Sequence, residues 1–123
     1  IINIFFFYKL LKKQIMSIET DSKPLESPKN PETCNVFKIY SLLASNEMIE
    51  DLRSKYKNGG FGYGHAKKEL LDLILNKFSK PRDKYNYLMS NKNEIDQILS
   101  EGSKKASKTA NQVMDRVRKK LGY

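Results

Sequence analysis

Residues 59–68 read GGFGYGHAKK, and the fold turns on whether these glycines cradle a phosphate or join two helices. Gly59 and Gly64 have the spacing of a Walker loop, but His65 and Ala66 stand where Lys and Ser or Thr belong. A phosphate loop or dinucleotide loop also needs a strand before its glycines. Here a helical pattern precedes them. Ser45 can N-cap a helix over 46–57, Glu47 in the first turn suits the helix dipole, and Met48, Ile49 and Leu52 form its expected buried stripe up to Asn58-Gly59. Beyond the glycines, Ala66, Leu70, Leu73, Ile74 and Phe78 resume the helical period over 65–78. The stretch is therefore expected to be a helix-to-helix connector.

Working outward, Leu11, Ile15 and Ile18 give one apolar face to a short helix from Tyr8 to Ile18. The following stretch, TDSKPLESPKNPETC, carries prolines at 24, 28 and 31, which no helix interior or central strand tolerates, and reads as an extended connector. Val36, Phe37, Ile39, Tyr40, Leu42 and Leu43 make 35–44 apolar on nearly all sides, as in a buried core helix; the Val-Phe-Lys-Ile-Tyr start also fits a strand. Pro81 starts or kinks a helix after Phe78. Asn91 with Glu94 looks like an N-cap and capping-box partner for a helix ending at Glu101-Gly102. Ala106, Ala110, Val113, Val117 and Leu121 then mark a last, strongly basic helix stopped by Gly122. With no strand pattern supported by turn chemistry, the expected class is an all-α bundle of five to six helices.

At 123 residues one small domain is expected. Lys plus Arg exceed Asp plus Glu by 23 to 14, a net charge of +9, which favours polyanion partners, RNA first. Cys34 is the lone cysteine, so no disulfide forms within the chain, and a single histidine leaves no ordinary Cys/His zinc site. An intracellular protein without a metal is the default. IINIFFFYKLL places its apolar residues before its lysines, the reverse of a signal peptide. Its apolar run is also far short of the roughly 20 residues of a membrane span, so no membrane anchor is indicated. Phe5, Phe6, Phe7 and Tyr8 are expected either to pack on something or to lack their normal partner.

His65, the only histidine, is the obvious candidate for acid or base work, but no Ser, Cys or carboxylate stands at a spacing that suggests a nucleophile and base, so no catalytic residue is assigned. Cys34 has no basic neighbour in sequence to activate it. The functional signal is the cations at 67, 68, 80, 82 and 84, then 104, 105, 108, 116, 118, 119 and 120, with Tyr85 and Tyr87 available to stack on unpaired bases. Ordinary solvated helix faces account for any one of these lysines. For the cluster, RNA contact is as good a reading as a merely basic surface.

Three segments, TDSKPLESPKNPETCNVFKIYSLLAS, YKNGGFGYGHAKKELLDLI and EGSKKASKTANQVMDRVRKKLGY, in this order and at these distances, closely resemble the C-terminal part of bacterial tryptophanyl-tRNA synthetases. The resemblance runs from about Lys12 to Tyr123. It implies a class I tryptophan–tRNA ligase family whose members charge tRNA using ATP and Mg²⁺ in an N-terminal Rossmann domain. The HIGH and KMSKS signatures of that domain are not in this sequence, and the Gly64-His65 dipeptide matches the helical domain instead. On this resemblance 1–18 is the helix after the KMSKS loop, 19–34 a connector and 35–123 the helical domain that approaches the anticodon, its final helices folding back towards the catalytic domain. The expected RNA-binding residues are Lys67, Lys68, Lys80, Arg82 and Lys84, with the glycine hinge turning helix 65–78 back beside helix 46–57 so that Lys67 and Lys68 face outward.

No cofactor-binding or metal-binding residue is expected in the chain. The partner is a tryptophan-specific tRNA, the location cytoplasmic, and the main interface of the family's homodimer lies in the part not present. At Phe6, Phe7, Tyr8 and Leu10 the sequence departs from the family, which usually has polar or charged residues there. The rivals are a stand-alone, non-enzymatic RNA-binding module and a fragment without function.

Overall fold

The computed structural model describes residues 1–123. Six α-helices and one 3-10 turn follow in chain order: α1 Tyr8–Met16, the turn Pro31–Thr33, α2 Asn35–Ser41, α3 Asn46–Asn58, α4 Tyr63–Lys77, α5 Ser79–Ser90 and α6 Lys92–Leu121. There is no strand, so the class is all-α and the strand alternative near Val36 falls away. Val36, Phe37 and Tyr40 are buried together on one face of α2 while Lys38 is exposed, a helical and not an alternating pattern. No helix is long and apolar enough to cross a membrane.

The chain divides into two compact units, residues 1–83 and 84–123. In the first, α4 packs against α1 and α2. The core is built from Leu11 and Ile15 of α1, Val36, Phe37 and Tyr40 of α2, Leu52 and Tyr56 of α3, and Ala66, Leu70, Leu71 and Ile74 of α4. Several residues lie differently from their sequence expectation. Helix α2 ends at Ser41, and Leu42 is 82% exposed. On α3 the buried stripe is Leu52 and Tyr56, four apart, with Ile49 half-buried, whereas Met48 is 40% exposed because it lies to one side of that face. The hinge does not lay α4 alongside α3 as its main neighbour. Their link is the Lys55–Glu69 ion pair at 3.0 Å and the Tyr56 ring, which meets Phe61 at 6.0 Å and Tyr63 at 6.1 Å.

Ser45 caps α3 as its sequence position suggests, its hydroxyl accepting from the Met48 N–H at 3.4 Å. Gly59 ends the helix at φ 75°, and a Cβ there would sit 2.4 Å from the Glu26 carbonyl oxygen. Glycine is needed at this position for conformation and for space. The proline-rich connector thus lies directly against the α3 terminus. It is fixed by Lys29, whose backbone N–H donates to the Tyr56 carbonyl at 2.7 Å. The Lys29 ammonium, 3% exposed, donates to the Pro24, Leu25 and Ser27 carbonyls at 3.1 Å each and lies 5.3 Å from the Tyr63 ring centre. A buried ammonium is tolerable because all three of its protons find oxygens. At the N-terminus, Ile2 and Ile4 pack against the core, while Phe7 is 77% exposed and Tyr8 half exposed.

The second unit contains the end of α5 and α6. Helix α6 runs unbroken through Gly102 for 30 residues, joining what the sequence reads as two helices. A mid-helix glycine costs only about 1 kcal/mol relative to alanine, too little to end a helix with good formers on both sides. Asn91 does not cap it: its side-chain amide turns back and donates to the Tyr87 carbonyl at 2.8 Å. Gly122 stops the helix in a left-handed conformation at φ 80°, with the Tyr123 N–H on the Arg118 carbonyl and the Gly122 N–H on that of Lys119. No residue of α6 is buried.

Candidate nucleic-acid interface

The five candidate cations differ in what already holds them. Lys67 and Lys68 sit in the second turn of α4, next to each other and therefore about 100° apart around the helix. Lys67 is half-buried and its ammonium donates to the Met16 carbonyl at 2.9 Å, at the end of α1 where the helix leaves free carbonyls. It does not point freely outward as expected, whereas Lys68 is exposed. Lys80 is exposed in the first turn of α5, and Arg82, two residues on, donates to the Ile4 carbonyl. Lys84 belongs to the second unit, where its ammonium is 3.8 Å from Glu94 and 5.2 Å from the Tyr87 ring centre. The Tyr87 phenol shares Glu94, and that hydrogen bond raises its pKa above the ordinary value. Tyr85 and Tyr87 are both exposed. On α6, Lys104, Lys105, Lys108, Arg116, Arg118, Lys119 and Lys120 are exposed and form no ion pair.

Opposite charge is gathered elsewhere. Glu47, Asp51, Glu69 and Asp72 line an open groove of about 510 Å³ along with Tyr40, Met48 and Leu73. Burial, then Glu69, pushes the Tyr40 phenol up, and the Asp51 and Glu69 carboxylates raise the Lys55 ammonium that sits between them. This face repels a phosphate chain, so a polyanion would meet the first unit on its other cations.

His65 is exposed, its ring 5.7 Å from that of Phe61. The Cys34 thiol is buried 3.4 Å from the Tyr56 hydroxyl, and burial raises the pKa of that phenol. No group of three or more His, Cys, Asp and Glu is arranged to hold a metal ion. Sequence reasoning missed Lys29 and Tyr63. The Tyr63 hydroxyl donates to Asp21 at 2.6 Å, which holds the Asp21 carboxyl below the usual carboxylate range, while burial and then that bond raise the phenol. The available signal was weak: Lys29 lies between two prolines, where a lysine is ordinarily solvated.

No family model matches the chain. Individual proteins do. The chain is 45% identical over 121 residues to a tryptophan–tRNA ligase of Fusobacterium nucleatum, covering 98% of this chain and 37% of that protein. It is 43% identical over 121 residues to a tryptophan–tRNA ligase of Campylobacter jejuni, with 98% and 38% covered. The crystal structure of the tryptophanyl-tRNA synthetase from Campylobacter jejuni complexed with ADP and tryptophan superposes with a TM-score of 0.92 at 43% identity, over 99% of this chain and 38% of that one. The chain is thus similar to a C-terminal part of tryptophan–tRNA ligases and spans less than two fifths of the length of these relatives.

Proposed function

We propose that this chain is the tRNA-binding portion of a tryptophan–tRNA ligase and does not activate tryptophan by itself. The carrying observation is the lopsided coverage: nearly the whole chain superposes on the synthetase, yet over half of the synthetase has no counterpart in it. In this reading ATP and Mg²⁺ belong to the part without a counterpart, as does the main interface of a homodimer, and the working location is the cytoplasm. Residues 35–123 are the tRNA-binding helical portion, tied by the connector 19–34 to the helix at 1–18.

The RNA-contacting residues in this proposal are Lys67, Lys68, Lys80, Arg82 and Lys84. Lys68 and Lys80 are exposed and hold no carbonyl or carboxylate, so they can reach phosphate at least cost. Lys67 and Arg82 would first have to give up carbonyl partners. Activation of an amino acid by ATP requires preorganised groups around the transferring phosphate and the leaving pyrophosphate, and no Gly-rich cradle after a strand exists in this all-helical chain. The test is pyrophosphate exchange by the purified 123-residue chain with ATP, Mg²⁺ and tryptophan. No tryptophan-dependent exchange is expected; measurable exchange by pure protein would overturn the reading.

A further inference from the structure

Cations of other elements hold helix α1 at both ends. At its C-terminal end the Lys67 ammonium of α4 donates to the Met16 carbonyl at 2.9 Å. Ahead of its N-terminal end the Arg82 guanidinium of α5 donates to the Ile4 carbonyl. Residues 1–4 fold back along α1 there: the Asn3 N–H donates to Gln14 Oε1 at 3.0 Å, and the Gln14 side-chain amide donates to the Ile1 carbonyl at 3.1 Å. Between the two ends Leu11 and Ile15 are fully buried, so the core fixes the middle of α1. The ends, with only the half-buried Ile2, Ile4 and Ile18 to pack, lean on the two cations.

Lys67 and Arg82 are also two of the five cations proposed to meet RNA. Both are half-buried with their heads turned onto carbonyls, whereas Lys68 and Lys80 are exposed and hold no such partner. A phosphate outside the unit reaches Lys67 or Arg82 only by drawing the head away from the protein. It can do so, because a phosphate carries a full charge, and to a guanidinium it offers two parallel hydrogen bonds where a carbonyl offers one acceptor atom. Phosphate on these cations and order at the ends of α1 therefore exclude each other. The exclusion is reciprocal: if RNA loosens the ends by some factor, the seated ends weaken RNA binding by the same factor.

We propose that Lys67 and Arg82 couple RNA binding to the N-terminal segment: in the free chain they pin the two ends of α1, and in the RNA complex they move to phosphate and release residues 1–6 and 16–18. This rests on the reading that the chain binds tRNA. Hydrogen exchange of the full 123-residue chain, free and saturated with tryptophan-specific tRNA, tests it. The amides to follow are Asn3 and Phe6, bonded to Gln14 Oε1 and the Asn3 carbonyl, and Ser17 and Ile18, bonded to the Lys13 and Ile15 carbonyls. Bound tRNA should speed exchange at both ends by about threefold or more, while Leu70 and Leu71 in α4 stay slow. In the free chain Lys67→Met should speed Ser17 and Ile18 about fivefold, and Arg82→Met should do the same at Asn3 and Phe6, the factor for one partly exposed hydrogen bond. In each variant tRNA then adds nothing at that end. Lys68→Met should weaken tRNA binding and leave exchange in the free chain unchanged. Slow exchange in α4 reports that each variant is folded. A tRNA that binds without speeding either end, or free variants that exchange like wild type, would overturn the coupling and leave the tRNA reading standing. A chain that binds no tRNA would overturn both.

Discussion

Residues 1–83 and residues 84–123 use similar helical material to opposite ends. The first unit closes Leu11, Ile15, Leu52, Tyr56, Leu70, Leu71 and Ile74 into one core, and its connector is drawn in by a buried lysine and a close glycine. The second is dominated by a helix of 30 residues in which nothing is buried. Amphipathic periodicity alone therefore does not say whether a stripe is spent on the chain's own core or left available to another molecule. The deciding quantity is whether other elements of the same unit supply a matching apolar face.

The largest expected effect comes from truncating equivalent leucines on the two sides of this contrast. Leu70→Ala should cost about 2–5 kcal/mol in urea unfolding, the range for emptying a packed site. Leu99→Ala, at an exposed position, should stay within about 0.5 kcal/mol. Equal losses would erase the distinction between the units. Next, Lys29→Met leaves three carbonyls of the connector without their donor, and about 1–3 kcal/mol of stability should go with it. If the variant unfolds like wild type, the connector is held by something other than the ammonium.

Glycines sharpen the same contrast with smaller numbers. Gly59→Ala should destabilise by about 1–2 kcal/mol from the left-handed backbone alone, and by more because Glu26 O blocks the Cβ. Gly102→Ala, with open space around it inside a regular helix, should raise helix stability by about 0.5–1 kcal/mol. The smallest effect is one of pH and belongs to the first unit only. Burial raises the phenols of Tyr56 and Tyr63 in the folded chain. The folded state therefore keeps protons that the unfolded chain releases near pH 10, so stability is intact below about pH 10 and falls as the pH rises beyond it. Tyr56→Phe should flatten part of that fall in alkaline urea melts, and an unchanged slope would show that this phenol is not linked to folding.

The sequence made much of this fold legible, because periodicity, caps and prolines are local signals. Ser45, Gly59 and Gly122 mark helix ends by short-range chemistry, and each does so in the structure. What escaped was decided by neighbours. Leu42 and Met48 look buried by composition but lie beyond or beside the packed face. Gly102 looks like a stop and is only a weak spot in a long helix. Lys29 looks like a solvated cation and is a buried clamp, because carbonyls of residues two to five positions away turn towards it. The candidate interface was legible as a set of cations, but which of them are held by carbonyls is a tertiary property: Lys67 reaches Met16 and Arg82 reaches Ile4 across long sequence separations.

The proposal that this chain carries tRNA-binding surface without the catalytic part is tested by binding of tryptophan-specific tRNA to the isolated chain as a function of salt. Binding is expected to prefer this tRNA over bulk tRNA. With about four phosphate contacts, affinity should fall roughly 60-fold over a fourfold rise in monovalent salt. Lys68→Glu and Lys80→Glu should lower affinity and reduce the salt slope. Binding that is absent at low salt, or that is equal for every polyanion tried, would contradict it.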